Sequence, residues 1–167
     1  DVVNVYDYDE LRRVLFQYGD LRNANAMAKT IVEQRENAPI KTTDQLKEVL
    51  GQYLPKHREH KILAQIYQAI RIEVNQEIQV IKEFLLQVPE LLNDGGRLSV
   101  ISYHSLEDRL VKRFIRAGQF EGQPEKDFYG NINVPLKKVG GLIVPSAEEI
   151  KNNNRARSAK LRIAERI

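Results

Sequence analysis

The chain has 167 residues, enough for one ordinary domain or a domain with a lobe, and its lack of cysteine excludes disulfides and thiolate metal sites and favours a reducing cytoplasm. Its 42% of hydrophobic and 29% of charged residues are typical of folded globular proteins, and no apolar run approaches the roughly 20 residues of a membrane span. The net charge of +3 permits a nucleic-acid partner without requiring one.

Helical patterns fill the first 50 residues. Asp7 and Glu10 have the D-x-x-E spacing of a capping box at the start of a first helix. A second helix is predicted over residues 22–36, and Thr42 or Thr43 caps a short third one. Short helices joined by tight links indicate a small all-helical lobe.

The longest helical pattern runs from Leu63 to Leu85. It predicts either one bent helix or two helices, with a break near Val74 and Asn75. Pro89 marks the end of the pattern, because proline disfavours a helix interior.

A strand followed by a helix is the best candidate for a site. Leu98 to Ile101 is a short apolar run rich in β-branched residues, which predicts a buried strand of a mostly parallel sheet. Ser105 is placed to cap the helix that follows, with Asp108 three positions later. His104 and Ser105 would then lie where a strand ends, and open α/β sheets bind their ligands at that edge.

The pattern of the last 50 residues predicts a loop followed by short secondary-structure elements. Residues 118–133 are rich in glycine, proline and charge and predict an exposed loop. Residues 134–139 and 142–144 are strand-like, and Ser146 begins a brief helix. Residues 158–167 alternate between apolar and charged side chains, which favours a half-exposed strand over a terminal helix.

The C-terminal segment is basic, with six Lys and Arg and one acid from residue 151 onward. Arg155 and Arg157 have the side chain that pairs bidentately with phosphates and are candidates for RNA backbone contact. The alternative, a solvated strand face, is equally compatible with the pattern.

Two further motifs point to no chemistry, and two common nucleotide-binding motifs are absent. His57 and His60 form an H-x-x-H pair, but a third ligand is lacking and the surrounding charge is basic, so we expect no metal site. His104 beside Ser105 suggests a nucleophile, but no companion acid is placed by the sequence and a helix cap explains the serine. Neither a P-loop nor a G-x-G-x-x-G motif is present.

Three blocks carry a resemblance to a known family. Residues 67–78 read Y-Q-A-I-R-I-E-V-N-Q-E-I, residues 95–109 read G-G-R-L-S-V-I-S-Y-H-S-L-E-D-R, and residues 154–166 read N-R-A-R-S-A-K-L-R-I-A-E-R. In order and spacing they resemble the signature blocks of the bacterial ribosomal RNA small-subunit methyltransferase H family. The resemblance covers essentially the whole chain.

The resemblance implies an α/β fold and an activity. The fold is a seven-stranded, Rossmann-like methyltransferase sheet with an all-helical inserted lobe. Residues 1–74 would be that substrate-side lobe, and residues 75–167 would be the C-terminal part of the methyltransferase core. The activity is transfer of a methyl group from S-adenosylmethionine to N4 of a cytidine in the decoding region of 16S rRNA, so the partner is the small ribosomal subunit.

The resemblance also implies roles for particular residues. His104 and Ser105 would face the active-site crevice, while Asp108 and Arg109 would hold that turn by ion pairing. The candidates for orienting the pocket or binding substrate and RNA are Arg71, Asn75, Arg155 and Arg157.

The family's cofactor motifs are missing from this sequence. Its glycine-rich S-adenosylmethionine loop, its ribose-binding acid and its D-L-G-[VIL]-S block lie N-terminal to the insert and do not occur here. We therefore expect a C-terminal portion that holds no cofactor-binding residue and is inactive alone. The alternative is a non-catalytic RNA-binding or scaffold module. Without its neighbours, the Leu98–Ile101 strand would be an exposed edge that recruits a second copy or the missing N-terminal half.

Overall fold

A computed structural model describes residues 1–124, 126, 128–130 and 132–167 of the chain. These residues form two compact units, Asp1–Glu77 and Ile78–Ile167. Within the described residues, no helix has both the length and the apolar character needed to cross a membrane.

The first unit is entirely helical. Its elements are α1 (Val2–Val5), α2 (Tyr8–Gln17), α3 (Ala24–Asn37), α4 (Thr43–Val49), a 3-10 helix (Gly51–Tyr53) and α5 (Glu59–Val74). The predicted caps are confirmed: the Asp7 carboxylate accepts a 2.8 Å hydrogen bond from the Glu10 amide, and the Thr42 hydroxyl accepts one of 3.2 Å from the Gln45 amide. Each cap satisfies an amide that the first helical turn leaves free.

An apolar core closes this helical unit. Its largest fully buried side chains are Leu11, Leu15, Met27, Ile31, Leu50 and Ile66. One charged group, Glu73, is buried beside them, and its carboxylate accepts hydrogen bonds from the Tyr6 hydroxyl at 3.0 Å and from the Arg13 guanidinium at 2.8 Å. The bond to Glu73 raises the pKa of Tyr6, because ionising the phenol would break it.

The predicted break between two helices is confirmed. α5 ends at Val74, Gln76 takes a left-handed φ of 53°, and α6 (Glu77–Leu91) begins directly after it. Pro89 lies inside the last turn of α6 and does not mark its end, which corrects the sequence prediction by two residues.

The second unit combines helices with a three-stranded sheet. After α6 come β1 (Arg97–Ser102), α7 (Ser105–Ala117), β2 (Leu136–Ile143), α8 (Ala147–Asn152), a 3-10 helix (Asn154–Ser158) and β3 (Lys160–Arg166). The strand order is β1-β3-β2, and β3 is antiparallel to both neighbours. The terminal strand and the Ser146 cap are confirmed, and the two strand-like runs around Gly140 form one irregular strand, β2.

β1 is the strand predicted at Leu98–Ile101, but only one of its faces is buried in this chain. The described partner of β1 is antiparallel, and β1 lies at the edge of the described sheet. Leu98 and Ser102 are buried on one face, whereas Ile101 is 59% exposed on the other. The reason is that α6 and α7 pack on one face only, through Leu85, Val111 and Phe114.

The loop between α7 and β2 contains one local pairing. Lys126 and Ile132 form an isolated antiparallel bridge. Positions 125, 127 and 131 of the predicted loop lie outside the described residues.

Candidate substrate-binding site

The junction between β1 and α7 is built around Glu107. Its carboxylate accepts hydrogen bonds from the backbone amides of Tyr103, at 3.0 Å, and His104, at 3.4 Å. These bonds make His104 the N-cap residue, and α7 begins at Ser105. The prediction that Ser105 caps the helix is therefore wrong by one residue, because Glu107 fixes where the chain enters it.

His104 presents an unpaired nitrogen at this junction. Its Nε2 lies 3.0 Å from the Glu107 carboxylate, whereas its Nδ1 is buried and has no hydrogen-bond partner among the described residues. In a neutral imidazole one nitrogen donates and the other accepts, so the contact with Glu107 makes Nε2 the donor and leaves a lone pair on Nδ1. The His104 side chain also faces the Glu107 backbone amide in a capping-box arrangement, so Nδ1 lies against the first turn of α7.

A buried ion pair ties the start of α7 to β3. The Asp108 carboxylate accepts hydrogen bonds from the Arg162 guanidinium at 2.7 and 3.2 Å and from the Lys160 ammonium at 3.4 Å. The hydrogen bonds from Arg162, supported by Lys160, lower the pKa of Asp108. Asp108 forms an ion pair as expected, but its partners are Arg162 and Lys160; Arg109 is exposed and forms none with a described acid, so its role stays a prediction.

Arg71 and Asn75 come together at the end of α5. The Arg71 guanidinium donates to both carboxylate oxygens of Glu77, at 2.8 and 3.1 Å, and the Asn75 side-chain amide donates to one of them at 3.1 Å. Glu77 therefore organises this pair, and the sequence reasoning missed it. Its position in the first turn of the following helix was the available signal.

The four remaining candidates lie in the second unit. His104 and Ser105 are adjacent at the β1–α7 junction. Arg155 and Arg157 are exposed in the 3-10 helix before β3, where the Asn153 side chain accepts a 3.1 Å hydrogen bond from the Arg155 amide. Their guanidinium groups therefore face solvent, as phosphate-binding groups must.

Sequence reasoning also missed a basic surface on α7. Arg109, Lys112, Arg113 and Arg116 line one open cleft together with Lys126. Their i, i+3, i+4, i+7 spacing places all four helical side chains on one face, and this spacing is readable from the sequence.

The described residues do not fit S-adenosylmethionine. A nucleotide-type cofactor site needs a glycine turn that follows a strand and leaves backbone groups free. Gly95 and Gly96 precede β1, and both pair with Arg166, through bonds of 2.9 and 2.8 Å. Gly140 and Gly141 lie within β2. We therefore assign no step of a reaction through this cofactor to the chain's own residues.

Comparison with known proteins gives a consistent result over the whole chain. The family model described as the MraW methylase family matches residues 1–167. The proteins to which the chain is similar include three named ribosomal RNA small subunit methyltransferase H. The protein from Flavobacterium johnsoniae is 69% identical over 166 residues, which cover 99% of this chain and 55% of the relative.

The other two relatives give the same coverage. The protein from Christiangramia forsetii is 64% identical over 167 residues, which cover 100% of this chain and 55% of the relative. The protein from Bacteroides thetaiotaomicron is 46% identical over 167 residues, which cover 99% of this chain and 55% of the relative. The chain thus spans about half the length of the curated relatives it matches.

Proposed function

The chain belongs to the MraW methylase family, and from that premise we propose that it is the C-terminal portion of an enzyme that methylates N4 of a cytidine in the decoding region of 16S rRNA. The observation that carries the proposal is the family match over all 167 residues, together with a 69% identical relative that bears the name of a small-subunit rRNA methyltransferase. Under this proposal the partner is the small ribosomal subunit.

We assign His104 to the amino group of the substrate. Transfer of a methyl group to this nitrogen releases one of its protons, so the site needs an acceptor close to it. The Nδ1 lone pair of His104 is such an acceptor, because Glu107 holds Nε2 as the donor. Nδ1 is buried in this chain, so the β1–α7 junction would have to open for the substrate amino group to reach it.

The neighbouring groups would position this histidine. Asp108 and Arg162 fix the first turn of α7 against β3, and Glu107 fixes the two amides before it. Ser105 lies one residue further on and would line the same crevice. In the helical unit, Arg71 and Asn75 would shape the end of α5 through Glu77.

The methyl donor would be held by other residues. Methyltransferases of this kind use S-adenosylmethionine, and the described residues do not fit it. We therefore expect the chain alone to be inactive. The open edge of β1 would pair with the rest of the enzyme or with a second copy, because an edge strand presents unpaired backbone groups.

The test is a nucleoside assay on the full-length protein. Small ribosomal subunits that lack the methyl mark are incubated with S-adenosylmethionine and the enzyme, and the digested rRNA is examined by mass spectrometry for N4-methylcytidine. We expect the product with the wild type and none with the 167-residue chain alone, which separates an enzyme portion from a self-sufficient module. Methylation of another base would contradict the proposal.

The role of His104 needs its own variant. His104→Ala should slow methylation by about 100-fold, the lower end for loss of a proton acceptor. His60→Ala is the matched control, because His60 is an exposed histidine on α5. Wild-type methylation by a folded His104→Ala protein would remove His104 from the mechanism.

A further inference from the structure

The outer face of α7 forms a groove of unusual charge. Arg109, Lys112, Arg113 and Arg116 line an open cleft of about 470 Å³ with Lys126, and we call these five residues the basic groove. The other described lining residues are Ala117, Gly122, Gln123, Pro124 and Ile132, so no acid lines this cleft within the described part of the chain.

The cations of the basic groove form few hydrogen bonds or ion pairs with other described residues. Arg113 donates a hydrogen bond to the carbonyl of Gly122, and its Nε is buried without a partner among the described residues. Arg109, Lys112 and Arg116 are exposed and form no ion pair with a described acid. Like charges three and four residues apart on a helix repel one another, and an anionic ligand would offset that repulsion.

The charged surface continues beyond α7. Lys112 and Arg116 also line a second, largely apolar cleft of about 390 Å³, which Lys137 and Lys138 of β2 line as well. The cations are therefore arranged along a path across the unit, which suits an extended polyanion better than a single small anion.

Two exposed aromatic rings lie beside the basic groove. Phe128 and Tyr129 are 97% and 86% exposed, and their rings meet edge to face at 5.7 Å. They lie in the turn closed by the bridge between Lys126 and Ile132, two residues that line the cleft. Phe128 is two residues from Lys126, so its Cα lies within about 7 Å of the groove wall.

We propose that the basic groove and the Phe128–Tyr129 pair bind single-stranded RNA. The sugar-phosphate backbone follows the cations of α7, and unpaired bases stack on the two rings. This combination of a cationic path with exposed aromatic faces recognises single strands, since a base in a duplex has no free face to offer. The proposal rests on the proposed function for the identity of the RNA, a segment of small-subunit rRNA beside the target cytidine.

The test measures binding of a fluorescent uridine 12-mer to the full-length protein at several salt concentrations. The triple variant R109Q/K112Q/R116Q should bind at least 10-fold more weakly, and its salt slope should fall by about 2, since each phosphate contact on a single strand contributes about 0.7. The double variant F128A/Y129A should bind about 10-fold more weakly with an unchanged slope, because stacking releases no counterions.

Two controls decide what the losses mean. The variant K29Q/K41Q/K56Q removes three exposed lysines of the helical unit, and an equal loss of binding there would overturn the proposal by showing a general charge effect. An RNA duplex of the same length should not distinguish F128A/Y129A from the wild type. Anionic phosphatidylserine vesicles are the third probe, and variants that lose vesicle binding while retaining the 12-mer would overturn the proposal in favour of a membrane surface.

The same variants separate this inference from the proposed function. If the wild type forms N4-methylcytidine and folded groove variants bind RNA and methylate as it does, the groove proposal is wrong and the function stands. If the groove variants lose the 12-mer while the wild type forms no N4-methylcytidine, RNA binding stands and the proposed reaction is wrong. Thermal unfolding of each variant confirms that it is folded.

Discussion

Both units leave single apolar side chains exposed, among them Phe16 of the helical unit, but they differ in how their cores are covered. In the helical unit, α2, α3 and α5 pack around Leu15, Met27 and Ile66, and the core is closed. In the sheet unit one face is covered, while Ile101 on β1 and Ile143 on β2 remain largely exposed. A closed core needs no further chain, whereas an open sheet face beside an open edge does. The sheet unit is therefore where we expect another polypeptide to dock.

Each unit also buries one carboxylate beside an arginine, and the two pairs differ in exposure. Glu73 pairs with Arg13, whose side chain is 38% exposed, whereas Asp108 pairs with Arg162, whose side chain is 14% exposed. Removing the acid leaves the Arg162 guanidinium without its partner in a mostly buried position, whereas the more exposed Arg13 can turn towards solvent. Removing the carboxylate should therefore lower the free energy of unfolding more in the sheet unit than in the helical unit.

Asp108→Ala should cause the largest loss of stability. The uncompensated Arg162 and the three lost hydrogen bonds should lower the free energy of unfolding of the sheet unit by about 3–5 kcal/mol. Urea unfolding measures this loss. Asp9→Ala is the control, because the Asp9 carboxylate is an exposed partner of Arg12 and its loss should cost below about 1 kcal/mol.

Glu73→Ala should have a smaller effect, confined to the helical unit. The Tyr6 hydroxyl and the Arg13 guanidinium each lose a hydrogen bond, but Arg13 can reach solvent, so we expect a loss of about 2 kcal/mol. Hydrogen exchange should quicken in α2 and α5 and stay unchanged in β3. A loss larger than that of Asp108→Ala would contradict the comparison between the two units.

Acidification should act on the sheet unit through Asp108. Its pKa is lowered in the folded protein, so the unfolded state binds more protons and stability rises with pH in this range. The contribution is present above the ordinary aspartate value of about 3.9 and is lost as pH falls through the lower folded pKa. The free energy of unfolding of Asp108→Asn should not fall with this pH step. If the variant and the wild type lose stability identically on acidification, Asp108 does not contribute to the pH dependence.

Because β1 has an open face and an open edge, a substitution there should weaken self-association and leave the stability of the fold nearly unchanged. Ile101→Lys places a charge on an exposed position, so the free energy of unfolding should change by less than about 0.5 kcal/mol. Light scattering should show less self-association of the 167-residue chain than for the wild type, since edge lysines discourage strand pairing. A wild-type chain that is strictly monomeric would contradict this prediction.

The smallest effect should come from Ser105→Ala. Because His104 is the N-cap of α7, the Ser105 hydroxyl makes no capping bond and its removal should cost below about 0.5 kcal/mol. Ser146→Ala is the positive comparison, because the Ser146 hydroxyl accepts a 3.1 Å hydrogen bond from the Glu149 amide, and its loss should cost about 1 kcal/mol. Thermal unfolding of the two variants gives the difference.

The sequence predicted local features well because their causes are local. Asp7, Thr42 and Ser146 lie three residues before the partners that make the caps. The break after Val74 and the terminal strand follow from apolar periodicity over short windows. These features need no knowledge of the tertiary fold.

Features that depend on distant partners were beyond the sequence. The antiparallel pairing of β1 with β3 and the bonds between Asp108 and Arg162, which lie 54 residues apart, follow from chain topology. The sequence pattern predicted Ser105 as the cap. His104 is the cap instead, because the Glu107 carboxylate accepts hydrogen bonds from the amides of Tyr103 and His104. The basic stripe on α7 was readable at helical spacing, but its significance came from the cleft and the aromatic pair beside it.

We propose that this chain supplies substrate-handling residues and that another part of the enzyme binds the cofactor. The most direct test is calorimetric titration of S-adenosylmethionine into the purified 167-residue chain, with the full-length protein as the reference. We expect saturable heat from the full-length protein and none from the chain. Saturable binding to the chain alone would contradict this proposal, because it would place the cofactor site among these residues.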